Sequence, residues 1–499
     1  MGRILNKAIS IVILGGGTAG WLTALFIKHR WKDAIISVIE DPSKPPIIAG
    51  ESGGYALTLM FDRIGIDIQD WAKNVNATPK LGGVFHGWNG EGSTFYHSLV
   101  TSYTNCWSKL FPSIEEQYYY LRLLIGLKID IADISVTGDF IKNNKVPYDT
   151  NLNIVNNISH MWHFDSRANA DYLKKLGITR GIKLIKDQYQ TLIRNNNGNV
   201  QTLKLKNQSV DADWFFDCSG FARLLLEKEL GVDIDDQSSY FPANAVLPWW
   251  SDTELNTGTV ATTMDAGWTW KIGLTHRTGQ GYLYDPDILT KDQALDEIHR
   301  KFGSHIEPVA SLTFTPSILK ESWKHNVIGI GLSTGFMEPL EANGTGIIID
   351  ALLALENNWS LESDNTNKLQ FNNTIYKSYT NIRDFLSLHY RGKGLNTKFW
   401  RDQKDPIRVP DTLKEKLINW IEFYKTGKIN ISHYQNQYSV ESWATVIQGL
   451  ELIDPALINV GEIGPFVHNY YITEKITQQR IQENCIGIQE WINLTKLKK

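Results

Sequence analysis

Gly15, Gly17 and Gly20 fall in the run Gly15-Gly16-Gly17-Thr18-Ala19-Gly20, directly after the apolar stretch Ala8 to Leu14. A phosphate-binding turn needs this spacing. The first glycine turns tightly, the second lets backbone approach a pyrophosphate, and the third lets a helix pack close on a strand. The helix expected from Thr18 to His29 opens at Thr18 and Ala19, so its first N–H groups face the phosphate charge. A second strand, Ile35 to Ile39, ends at Glu40, where a carboxylate can accept hydrogen bonds from ribose hydroxyls. An acid there, in place of arginine, fits NAD or FAD better than a 2′-phosphate and does not separate the two.

Two further segments could do chemistry. Gly331 to Gly346, rich in small residues, lies between an apolar strand (Val327 to Ile330) and a helix. Its exposed N–H groups, starting at Gly331 and Leu332, can bind an anion or approach a flat cofactor ring, and Glu341 adds a carboxylate. In Gly267-Trp268-Thr269-Trp270-Lys271-Ile272, a strand puts both indoles on one face as a rigid wall. Plain packing is the competing reading of that pair.

The elements that must hold these residues begin with the strand-turn-helix-strand unit of the first 40 residues. Asp213 to Gly220 reads as a further buried parallel strand running into a turn, with Cys218 as a small core residue. His163-Phe164-Asp165 is expected to lead into a helix through Leu176, followed by a hairpin of Ile182 to Ile193 and Val200 to Leu205. Helices are expected at 347–356, 369–389, 413–424 and 476–496. The chain therefore divides into residues 1–346, a nucleotide-binding module with an inserted sheet, and 347–499, a mainly helical subdomain.

Composition narrows the function classes. Over 499 residues, 50 Lys plus Arg against 54 Asp plus Glu give a net charge of −4, which supplies no field for nucleic acid or acidic lipid. No apolar run approaches a membrane span, and Gly15 onward replaces the cleavage site that would make the Arg3/Lys7 start a signal peptide. Cys106, Cys218 and Cys485 are too far apart in sequence for a CxxC or zinc site, so no metal is expected, and a reducing cytoplasm fits. The 17 Trp, 20 Tyr and 19 Phe are scattered, as in an aromatic-rich core.

With these segments in place, the chain resembles the flavin-dependent halogenases of the tryptophan-halogenase family along nearly its whole length. The resemblance rests on Gly15 to Trp21, Gly50-Glu51-Ser52, Ala77-Thr78-Pro79-Lys80-Leu81-Gly82 with Trp88, and Phe95-Tyr96-His97. It continues through Asp217 to Phe221, Gly267 to Ile272, Arg277 to Tyr282, Gly331 to Glu341, His389-Tyr390 and Phe399-Trp400-Arg401. A phage-encoded member would suit the Asn- and Lys-rich wording of the chain. The implied fold class is α/β (α+β): a Rossmann-like FAD-binding domain of the flavin monooxygenase type, an inserted mixed sheet and a helical C-terminal subdomain.

The resemblance also implies a reaction. FAD, as FADH2, with oxygen and a halide ion would yield hypohalous acid, which reaches an electron-rich aromatic substrate such as an indole, phenol or pyrrole. Lys80 falls on the family's catalytic lysine and Glu341 on its active-site glutamate. Trp268 and Trp270 would separate flavin from substrate, and a separate NAD(P)H-dependent flavin reductase would supply FADH2.

Two departures from the family pattern stand out. Ala342-Asn343-Gly344-Thr345-Gly346 replaces the usual Ser/Ala-Thr-Gly, so the halide falls to the N–H groups of Asn343 and Gly344, or of Thr345 and Gly346 if two residues are inserted; the first pair is preferred. Gly273 replaces a proline, which frees the backbone and could loosen the wall. The competing functions are an aromatic monooxygenase, which needs neither Lys80 nor the wall, and a non-catalytic FAD-binding scaffold.

Overall fold

The first strand, Ser10–Leu14, is parallel to Ile35–Glu40 on one side and to Trp214–Asp217 on the other, with Ile13 opposite both Val38 and Phe216. All three are apolar on both faces, as a strand covered on both sides must be. A computed structural model describes residues 8–44, 52–98, 113–359, 364–428 and 438–497. The Arg3/Lys7 start, Gly50, Glu51 and Cys106 lie outside the described residues.

The chain forms two compact units. The first comprises Met1–Ala77, Phe164–Ser238 and Phe314–Thr380; the second comprises Thr78–His163, Ser239–Thr313 and Asn381–Lys499. The 346/347 boundary drawn from sequence falls inside the first unit, within the Asn343–Asn358 helix.

In the first unit the parallel sheet runs Val327–Gly329, Trp214–Asp217, Ser10–Leu14, Ile35–Glu40 and Lys183–Lys186, with Trp323–Lys324 added antiparallel at one edge. The Thr18–Arg30 helix buries Gly20 to Ile27 and packs on the Ser166–Thr179 helix, where Gly177 leaves room for the ring of Trp21. Val200, Leu203 and Leu205 join Val12, Leu14, Ile39 and Phe215 in one apolar core.

The expected strand Ile182 to Ile193 is two strands in different sheets. Lys183–Lys186 extends the parallel sheet, and Tyr189–Arg194 pairs antiparallel with Val200–Leu205. Asp187 marks the break, its carboxylate accepting from the backbone N–H groups of Gln188 and Asn207.

The second unit holds a seven-stranded mixed sheet: Leu312–Thr313, Ala245–Ser251, Thr278–Tyr284, Gly267–Gly273, Gly258–Met264, Gly82–His86 and Thr94–Ser98. Only Gly258–Met264 beside Gly82–His86 is parallel among these pairs. Thr78–Lys80 pairs antiparallel with Met161–His163. Leu81, Val84, Phe140, Ile141 and Ile481 form a core between sheet and helices. The helix expected at 476–496 is two, Gly464–Glu483 and Ile488–Leu497, because Ile486 N–H bonds to the Tyr148 carbonyl and Gly487 bridges Lys145.

Candidate active site

In the first unit, the glycine turn takes its shape from close backbone approach. Gly15 has φ +125°, and a Cβ on it would lie 2.1 Å from the Cys218 carbonyl oxygen. A Cβ on Gly20 would lie 1.8 Å from the Gly15 carbonyl oxygen. Gly17 caps the Thr18–Arg30 helix with nothing within 4 Å of where its Cβ would be. No side chain caps that helix and its first turn carries no acid, so its orphan N–H groups are left to a ligand.

Glu40 ends its strand beside Gly16 and lies 3.2 Å from Lys174 Nζ. Asn169, fully buried, donates to the Thr18 hydroxyl at 3.1 Å and accepts from Trp71 Nε1 at 2.8 Å. It therefore orients the first residue of the helix. Gly331, at φ +76°, would place a Cβ 3.1 Å from that of Ala19, and Leu332 follows in a short turn. The buried Tyr379 hydroxyl lies 2.9 Å from the Gly335 carbonyl and 3.1 Å from the Gly331 carbonyl, with one proton to donate between them, and so pins this loop. Sequence reading gave no signal for Asn169 or Tyr379, each an ordinary helical residue until tertiary contact assigns it. The open cradle at Gly17, the uncapped helix and the carboxylate at the strand end fit the pyrophosphate and ribose of FAD.

The Glu341 loop enters its helix under strain. Glu341 (φ 61°) and Ala342 (φ 55°) are both left-handed, a costly pair for residues with side chains. The 16-residue Asn343–Asn358 helix follows, with no side-chain cap and no acid in its first turn. Asn343 turns its side chain back, donating to the Leu340 carbonyl at 3.0 Å. Gly344 has open space beside it, and the Thr345 hydroxyl, on a residue 8% exposed, has no hydrogen-bond partner. This first turn can therefore offer N–H and O–H donors to a small anion. Burial and the charge of Asp217 push the Cys218 thiol up, so it remains an inert core residue.

In the second unit, Lys80 ends the Thr78–Lys80 strand and is only 4% exposed. Trp268 and Trp270 are buried on one face of Gly267–Gly273, their rings 6.0 Å apart and nearly edge to face. Gly281, opposite Trp270, leaves room for that indole, since a Cβ there would lie 2.2 Å from its ring. Trp268 donates to the Tyr390 hydroxyl at 3.1 Å, and Trp88 stands 6.1 Å behind it.

The freedom expected at Gly273 is absent. Its carbonyl accepts from Thr78, its N–H faces Asn256 Oδ1 at 3.4 Å, and a Cβ on it would meet the Glu254 carbonyl at 2.5 Å.

The family model described as tryptophan halogenase matches residues 10–460. The chain belongs to the tryptophan halogenase family. It is 29% identical to the tryptophan 6-halogenase ThaL of Streptomyces albogriseolus over 85% of this chain and 83% of that one. With the tryptophan 7-halogenase RebH of Lentzea aerocolonigenes it shares 28% identity over 98% of both chains. Its fold is that of the flavin-dependent halogenase Xcc4156 of Xanthomonas campestris, at TM-score 0.85 and 23% identity over 98% of both chains.

As a tryptophan halogenase family member, the chain is a flavin-dependent halogenase and thus an oxidoreductase. Its mixed α/β fold, with a Rossmann-like parallel sheet in the first unit, is that of solved flavin-dependent halogenases. Among the described residues, no group of three His, Cys, Asp or Glu could hold a metal, and no helix is long and apolar enough to cross a membrane.

Proposed function

We propose that this halogenase transfers an oxidised halogen to an electron-rich aromatic substrate from Lys80, and the observation that carries the reading is the burial of Lys80. A lysine is ordinarily a solvated surface residue, whereas this one is 4% exposed and lies on a strand. An ammonium removed from bulk water can hold a hypohalous acid by hydrogen bonding and aim it at one carbon. The supporting features in the first unit are the cradle of Gly15, Gly17, Thr18, Ala19, Gly20, Glu40, Gly331 and Leu332 for FAD. Bound FADH2, with oxygen and halide, supplies the hypohalous acid.

Halide is held at the start of the Asn343–Asn358 helix by the N–H groups of Asn343 and Gly344, with the Thr345 hydroxyl as a further donor. Glu341 orients the oxidant and accepts the proton lost when the ring regains aromaticity. Trp268 and Trp270 keep flavin and substrate apart. The relatives named for tryptophan make an indole the first substrate to try. A separate NAD(P)H-dependent reductase supplies FADH2, and the enzyme works in the cytoplasm. The test is a mass-spectrometric screen of arenes with FAD, a reductase and chloride, bromide or iodide in turn. Halogenated product supports the reading; hydroxylated product would replace it with a monooxygenase.

A further inference from the structure

The partner strand of Lys80 carries a histidine to which no role has been given. In the antiparallel pair, Thr78 is opposite His163 and Lys80 is opposite Met161. Directly opposed residues share a face, so Lys80, Thr78, Met161 and His163 lie on one side and Pro79 and Trp162 on the other. Lys80 and His163 are thus diagonal neighbours, a separation that a lysine side chain can span. His163 is fully buried, its Nε2 lies 2.8 Å from Thr259 Oγ1, and its Nδ1 is buried with no hydrogen-bond partner.

Burial, and after it the charge of Lys80, hold this imidazole well below the ordinary histidine value, so it is neutral. A neutral ring has one lone-pair nitrogen, and a nearby positive charge favours the tautomer that turns the lone pair toward it. Nε2–H then donates to Thr259, and Nδ1 remains an acceptor.

We infer that His163 is a positioning residue for Lys80, anchored by Thr259 through Nε2 and offering its Nδ1 lone pair to the lysine through one water. The inference rests on the reading of Lys80 given above. It predicts that the acceptor favours the ammonium form, so removing it lowers the pH at which Lys80 loses its proton.

Other titratable groups on the surrounding elements of this unit have contacts of their own. His160 bonds Tyr148 and packs on Trp162, and the Gly258–Met264 strand carries no titratable group. His86 closes its strand against Thr94, and Tyr96 and His97 sit opposite Val84 and Gly83. On the Val136–Asn143 helix, Asp139 and Lys142 are engaged by Lys475 and Asp133.

The test compares His163→Leu, His163→Asn and Thr259→Val holoenzymes, reading kcat for halogenation against pH, hydrogen peroxide release and the urea midpoint. His163→Leu is expected to lower halogenation about 10- to 100-fold and to move the alkaline limb down by about one pH unit, with peroxide release held. His163→Asn, which restores an acceptor, is expected to recover much of both, and Thr259→Val to shift the limb the same way by less. Unchanged limbs in His163→Leu and Thr259→Val overturn the inference. If His163→Leu does not fold, Thr259→Val and His163→Asn decide it alone: a lowered limb in Thr259→Val supports the inference, and wild-type profiles in both overturn it. Lys80→Ala runs alongside: full halogenation there overturns the reading of Lys80 itself, whereas loss of product with unmoved His163 profiles overturns only the present inference.

Discussion

Thr78 donates its hydroxyl proton to the carbonyl of Gly273 at 2.7 Å, tying the strand of Lys80 to the end of the strand that carries Trp268 and Trp270. Glycine is required at that end by the chain segment against it, since any side chain would press on the Glu254 carbonyl and the Leu255 Cα. The wall is therefore braced where family resemblance alone suggested slack. Gly273→Ala should lose about 1–3 kcal/mol through overpacking. Thr78→Val should lose about 1–3 kcal/mol by leaving a buried carbonyl unsatisfied. Urea unfolding at neutral pH measures both, and wild-type midpoints would mean that the 254–256 segment yields freely.

The two glycines of the phosphate turn should behave differently. Gly20→Ala forces a Cβ onto the Gly15 carbonyl and should unfold or badly destabilise the first unit. Gly17→Ala meets no protein atom, so the apo-protein's midpoint should stay within about 0.5 kcal/mol while FAD binding weakens by about tenfold or more. Calorimetric titration with FAD checks this, and undiminished affinity in Gly17→Ala would remove that turn from the cofactor site.

Much of this arrangement is local and so could be read in sequence. The strand, glycine turn, helix and terminal acid of residues 10–40 are set by nearest-neighbour patterning, and alternation alone places Trp268 beside Trp270. What stayed hidden depends on partners distant in sequence. Alternation across 182–193 does not say that Lys186 and Tyr189 serve different sheets, and nothing near Cys485 signals that Tyr148 and Lys145 will break a helix there. His163 was legible only as a residue leading into a helix, because its place beside Lys80 comes from strand pairing. The inward turn of the Asn343 side chain likewise depends on the left-handed residues before it.

Acid should destabilise the second unit in a defined window. His160 and His163 are both buried, and burial drops His160 to about 4. The unfolded chain takes a proton on each imidazole as pH falls through about 6.5, while the native fold refuses it. Stability should therefore fall by about 1.4 kcal/mol per pH unit for each such histidine, the His160 share levelling off near its native value of about 4. Urea midpoints from pH 7.5 down to 5 test this, and His160→Gln should flatten the slope. A slope unchanged in that variant would assign the acid loss to other groups.

Around Glu341, charge and strain can be separated. Glu341→Gln keeps the backbone and should slow halogenation with stability unchanged. Ala342→Gly relieves one left-handed residue and should add about 1 kcal/mol. Steady-state rates and urea midpoints on the two proteins check this, and a full wild-type rate in Glu341→Gln would strip the carboxylate of its role.

Lys80 carries the account, and product analysis of Lys80→Ala tests it most directly. With FAD, a flavin reductase, halide and an arene accepted by the wild type, that variant should bind FAD, release hydrogen peroxide and yield no halogenated arene. Halogenated product at the wild-type rate would contradict the account.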